Sequence, residues 1–86
     1  MRAVVLAFKA HSFTGRDGKM VEGFNVCFGV EASGWTGMKA IEDHDHKAKM
    51  IFVSTERLNS IDAKMEVGSE FDIEFKPGTY HLASIE

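Results

Sequence analysis

The sequence predicts an all-β domain: a five-stranded Greek-key barrel with one short helix between strands 3 and 4. Three observations predict it. Apolar and polar residues alternate with period two through most of the chain, the mark of strands with one buried face. Turn chemistry built on Gly, Asp and Pro separates these runs. A single stretch, Thr55 to Met65, switches to helical spacing.

Size and composition set the frame. The 86 residues make one domain, 1–86. A chain of this length buries about 60–65% of the surface it exposes when unfolded, so its core must be compact or completed by a second subunit. With 44% hydrophobic residues there is enough apolar material for a core, which argues against disorder. No apolar run approaches the roughly 20 residues that span a bilayer, so no membrane role is expected. The first eight residues make too short an apolar region for a signal peptide and serve better as a strand. Cys27 is the only cysteine and cannot form an internal disulfide, which makes a reducing cytoplasm the natural setting.

Arg2 to Phe13 reads as a long first strand. Val4, Leu6 and Phe8 alternate with Val5, Ala7, Lys9, His11 and Phe13. Phe13-Thr14-Gly15-Arg16-Asp17-Gly18-Lys19 then carries two glycines three apart with Asp before the second. That is hairpin chemistry, because Gly accepts positive φ and Asp bonds to nearby backbone. Residues 21–31 resume as a second strand, with Phe24, Val26, Phe28 and Val30 toward the core. The small residues opposite, Asn25, Cys27 and Gly29, either weaken or bend the strand or leave that face open to a close-lying ligand.

Ala32 to Gly37 is a Gly-rich loop around the only tryptophan, Trp35. Met38 to Ile41 suits a short strand not counted among the five, and Glu42 to His46 a polar tip. Lys47 to Ser54 reads as the third strand, with Lys47, Lys49, Ile51 and Val53 on one side and Met50 and Phe52 on the other. In Thr55 to Met65, Leu58, Ile61 and Met65 recur at helical spacing, Thr55 suits an N-cap and Gly68 can follow a C-terminus. Ser69 to Lys76 is the fourth strand, with Phe71, Ile73 and Phe75 inward and Glu70, Asp72 and Glu74 outward. A Pro77-Gly78 turn leads to the fifth, Tyr80 to Ile85. Three strands, a helix and two strands is the order of the OB-fold, a partly open Greek-key barrel that often binds oligonucleotides. An SH3-like barrel or another small β-sheet is the competing architecture.

The strand order, the hairpin residues Phe13-Thr14, Arg16 and Gly18-Lys19, and the closing Val67-Gly68 step, strand, Pro-Gly turn and strand resemble the single-stranded-DNA-binding proteins of filamentous phages. They are also similar to the small proteins of Gram-positive plasmids and conjugative elements. The local likeness covers residues 8 to 30, and the rest matches in architecture. The resemblance implies a homodimeric OB-fold that coats single strands, in replication or DNA transfer, through a basic hairpin and aromatic stacking. It assigns Arg16 and Lys19 to phosphates and Phe13 to stacking. This chain departs from that pattern in its formal charge of -3 and its scarcity of aromatics outside core positions.

Single-stranded nucleic acid is recognised by cations that follow the backbone and rings on which bases stack. The cation candidates are Lys9, Arg16, Lys19, Lys47 and Lys49; the stacking candidates are Phe13, Trp35 and Tyr80. Each lysine alone reads as solvated surface, and only convergence on one face marks a site. Phe13 reads equally as a core residue, Trp35 equally as a cover for an open barrel end, and Tyr80 more readily as core. The negative charge opposes phosphate binding, but it is unevenly spread. Residues 1–55 hold seven Lys/Arg and six Asp/Glu, and residues 56–86 three and seven. DNA and RNA are not distinguished by these residues.

Other chemistries are weaker. Asp43-His44-Asp45-His46 has metal-ligand types, but a structural zinc site takes four Cys or His ligands, and a solvated turn is favoured; no metal or other cofactor is expected. Cys27 lies mid-strand without a sequence-local base, so an inert thiol is expected. No phosphate loop, dinucleotide fingerprint or nucleophile elbow is present, and a binding protein rather than an enzyme is expected. The alternative function is a small β-barrel protein–protein interaction module without nucleic-acid binding.

Overall fold

The computed structural model describes residues 1–41, 50–76 and 79–85. Its strands are β1 (Arg2–Thr14), β2 (Met20–Glu31), β3 (Met38–Ala40), β4 (Ile51–Ser54), β5 (Glu70–Lys76) and β6 (Thr79–Ser84), with one helix, α1 (Thr55–Ser60), between β4 and β5. They form one antiparallel sheet in the order β3-β2-β1-β5-β6, with β4 also paired to β2. The protein is therefore all-β with a short helix, as expected. The expected strand count is corrected from five to six, because Met38–Ala40 pairs with Gly29–Glu31 of β2. The sheet is also open rather than a closed barrel: no ladder joins β4 to β6 among the described residues. No helix among the described residues is long and apolar enough to cross a membrane.

β1 changes partners along its length. Arg2 to Val4 pair with β5 on one side, while the strand pairs with β2 on the other. The last contact on the β5 side is reciprocal: Val5 N–H donates to the Ser69 carbonyl and Gly68 N–H donates to the Val5 carbonyl, both at 2.9 Å. The register with β2 then shifts between Val5 and Ala7. This bulge adds one residue, so Val5 and Phe8, not Leu6 and Phe8, share the inner face, opposite Phe28 and Val26. Strict alternation would put Val4, Leu6 and Phe8 together, and the bulge corrects it.

The inner face holds the core: Ala3, Val5, Val26, Phe28, Ile51, Val53, Phe71, Ile73 and Leu82 from the strands, with Ile41, Leu58 and Met65. Phe28 and Phe71 meet edge to face at its centre, 5.9 Å apart. Glu70, Asp72 and Glu74 point outward as expected, where Arg2 pairs with Glu70 at 2.9 Å and the Met1 amino group with Asp72 at 2.7 Å.

The helix is shorter than its apolar spacing suggested, and its cap is Ser54 rather than Thr55. The Ser54 Oγ accepts from Arg57 N–H at 3.1 Å. The C-terminus is a Schellman arrangement: Ala63 N–H donates to the Leu58 carbonyl at 2.9 Å, and Asp62 N–H to that of Asn59 at 3.2 Å. Asp62 takes the left-handed position, φ 52°. Met65 is buried from beyond the helix. Gly68 does not end the helix; it belongs to a turn closed by Ser69 N–H on the Glu66 carbonyl at 3.1 Å. The expected Pro77-Gly78 turn lies outside the described residues, and Lys76 and Thr79 on either side are paired.

Candidate nucleic-acid interface

Beyond the bulge, β1 and β2 leave β5 behind, first with β4 paired to the far side of β2 and then, from Ser12 and Glu22 to the turn, as a two-stranded ribbon, along a molecule 46 Å in its longest dimension. The ribbon ends in the expected turn. Gly18 N–H donates to the Gly15 carbonyl at 3.0 Å, and Gly15 N–H to the Lys19 carbonyl at 2.8 Å. Gly18 sits at φ 79°, a conformation that only Gly adopts without strain. The Asp17 carboxylate accepts from Lys19 N–H at 3.0 Å and so stiffens the loop. Arg16 and Lys19 are exposed there and form no ion pair among the described residues.

Register then decides what shares the outer face. Lys9 pairs with Asn25 and Asn25 with Phe52; His11 pairs with Gly23 and Gly23 with Ser54; Phe13 pairs with Val21, and Ala7 with Cys27. Cross-strand partners point to the same side. Ala7, Lys9, His11 and Phe13 of β1, Cys27, Asn25, Gly23 and Val21 of β2, and Phe52 and Ser54 of β4 thus form one grid, which contains no carboxylate. The acidic outer positions Glu70, Asp72 and Glu74 lie across β1 on β5.

Three rings meet on this grid. Phe13 and Phe52 lie 5.1 Å apart, edge to face; His11 lies 5.9 Å from Phe13 and 6.0 Å from Phe52. Gly23 makes the arrangement possible. A Cβ there would meet the Phe52 Cζ at 2.8 Å and the Val53 carbonyl oxygen closer still. The missing side chain is the seat of the Phe52 ring. Gly29 serves Leu6 likewise: a Cβ would lie 2.7–2.9 Å from three Leu6 carbons. Of the two sequence readings of Gly29, this removes the one that left it open to a ligand, because its vacancy is filled by Leu6.

The structure brings Lys9 and Phe13 onto one face and sets Arg16 and Lys19 at the end of the same ribbon. Phe13 remains 43% exposed. Trp35, 81% exposed, does not join them. Its loop, in which Trp35 N–H donates to the Ala32 carbonyl at 3.1 Å, follows the far end of β2; at about 3.3 Å per residue the length of that strand separates it from the hairpin tip by more than roughly 30 Å. Tyr80 packs half-buried against the core, and its ring faces Arg57 with the guanidinium carbon 5.2 Å from the ring centre. Its hydroxyl donates to the Phe52 carbonyl. Burial pushes that hydroxyl above the ordinary 10.0, while the Arg57 charge pulls the other way. A side chain engaged on all these sides offers no free ring for stacking. Lys47 and Lys49 lie outside the described residues, as does Asp43-His44-Asp45-His46.

His11 and Phe52 join this face without having been marked as site residues by the sequence pattern, and Asn25 joins it from the set of small residues that the pattern left as a possible ligand face. The signal was there in part: Phe52 alternates with the core residues Ile51 and Val53, and His11 falls between Lys9 and Phe13. What the pattern lacks is the pairing of β4 with β2. Among the described residues no group of three His, Cys, Asp or Glu side chains is placed to hold a metal ion, and Cys27 is a half-buried free thiol. No family model matches this chain, and neither a curated protein nor a solved structure does.

Proposed function

We propose that this chain binds single-stranded DNA with little sequence preference, laying it across the outer face of β1, β2 and β4. The observation that carries the proposal is the ring cluster His11–Phe13–Phe52, solvent-facing, free of carboxylates and flanked by the cations Lys9, Arg16 and Lys19. Base stacking on such rings is sequence-tolerant, because every base has a π-face. The absence of carboxylates from this grid, with Glu70, Asp72 and Glu74 set apart on β5, answers the objection raised by the net charge, since the local field matters more than the sum. The strand order also supports an OB-type reading. With β4, α1, β5 and β6 taken as its third strand, helix, fourth and fifth strands, the Tyr80–Phe52 hydrogen bond stands where a closed barrel would have a ladder. Homodimerisation and a setting in replication or DNA transfer rest on the resemblance alone.

The test is fluorescence anisotropy with labelled dT and mixed-sequence 30-mers, single- and double-stranded, at two salt concentrations. Single strands should bind more tightly than duplex and lose affinity as salt rises. Absence of binding at low salt, where electrostatics are strongest, would overturn the proposal. The acidic outer face of β5 favours a second reading, a protein–protein module. That reading requires self-association or a captured partner, and light scattering with a pull-down tests it.

A further inference from the structure

We infer that Asn25 is a base-contacting residue of this interface, one that hydrogen-bonds the edges of unpaired bases. The inference rests on the single-strand-binding reading above. Asn25 occupies the middle of the row Lys9–Asn25–Phe52, between a cation on β1 and a ring on β4. It lies deep inside β2, where asparagine is disfavoured. Its carboxamide has no protein partner among the described residues and remains accessible to water. Ser54, also on the grid, spends its oxygen on the cap of α1. Its strand neighbours on the same face, Gly23 and Cys27, are small, so nothing on β2 shields the amide.

The geometry assigns complementary tasks along this row. A base stacked on the solvent side of the Phe52 ring, which rests over Gly23, turns an edge to Asn25, and its phosphate falls within the field of Lys9. A carboxamide offers both N–H donors and a carbonyl acceptor. It can therefore match any base edge that presents a donor beside an acceptor, which gives base contact without sequence choice. Lys9 alone would bind any polyanion. The amide makes the face a reader of bases.

The experiment compares wild type, Asn25→Ala and Asn25→Thr on two labelled strands of equal length and charge, dT and an abasic polymer. Thr is favoured in strands, so Asn25→Thr guards against a merely unstable variant. Wild type should bind dT more tightly than the abasic strand. Both variants should lose about fivefold on dT, the effect of one hydrogen bond, with little change on the abasic strand and an unchanged salt slope. Equal losses on both strands, or no loss on dT, would overturn the role of Asn25 while leaving single-strand binding in place. Failure of wild type to bind either strand would overturn the underlying reading and this inference with it.

Discussion

The Tyr80 hydroxyl on β6 donates a hydrogen bond to the Phe52 carbonyl on β4, between two strands that no backbone ladder joins among the described residues. Arg57 of α1 completes the seam. Its Nη1 donates to the Tyr80 carbonyl at 3.1 Å while its guanidinium faces the Tyr80 ring. One side of Phe52 thus holds the open edge of the sheet, and the other presents its ring to the candidate interface.

Tyr80→Phe removes the donor and keeps the ring. We expect it to lower stability by about 1 kcal/mol, the net worth of one hydrogen bond, measured by urea unfolding. Binding of single strands should persist, because the ring of Tyr80 is not in the interface. A loss of binding without a loss of stability would refute this division of roles.

The same residue predicts a pH dependence. Its folded pKa is raised above the ordinary 10.0, chiefly by burial, so the folded chain holds the proton more tightly than the unfolded one. The stabilisation is fully present below pH 10 and is lost as pH rises through the folded value. Tyr80 is the only tyrosine, so tyrosinate absorbance follows it alone. The native midpoint should exceed that in urea, and coincident midpoints would contradict the burial argument.

Gly29→Ala should cost about 1–3 kcal/mol by overpacking, since the new methyl meets Leu6. Leu6 is partly exposed, so Leu6→Ala in that background should recover part of the loss. Gly23→Ala should cost more, because the methyl meets the backbone of Val53 and Ser54, which cannot step aside. A double-mutant cycle in urea measures the coupling; additivity of Leu6→Ala and Gly29→Ala would count against the seat.

Cations and rings should separate by salt. Arg16→Ala with Lys19→Ala should weaken binding alike for all sequences and flatten the salt slope by roughly 0.7 for each phosphate that is no longer neutralised. Phe13→Leu should cost roughly 1–3 kcal/mol of binding with the slope unchanged. Anisotropy titrations at several salt concentrations distinguish the two. A double cation variant that binds as wild type does would remove the hairpin tip from the site.

Asp62→Gly should stabilise the protein by about 0.5–1 kcal/mol. The position at the end of α1 is left-handed, φ 52°, and Gly adopts it without the steric cost that Asp bears. A thermal melt should move upward by a few degrees. An unchanged or lower midpoint would mean that the Asp62 side chain offsets the strain.

The elements with local signals are legible in the amino-acid order. Period-two alternation marks β2 and β5, because each strand buries one face. The Gly15–Gly18 spacing with Asp17 marks the hairpin tip, because backbone sterics admit few residues there. The helix is legible in position but not in length: Leu58, Ile61 and Met65 are all at least partly buried, yet Asp62 turns the chain and Met65 reaches the core from irregular backbone. The rest emerges only when the strands assemble. The bulge after Val5 arises where β1 loses β5 as a neighbour, and it exchanges which residues face the core. Gly23 and Gly29 take their meaning from Phe52 and Leu6, which come from other strands. The site shows the same division. Lys9, Phe13, Arg16, Lys19 and Asn25 lie within one hairpin, whereas Phe52 joins them only because β4 pairs with β2. Cross-strand register is set by the packing of the whole core, and no window of sequence contains it.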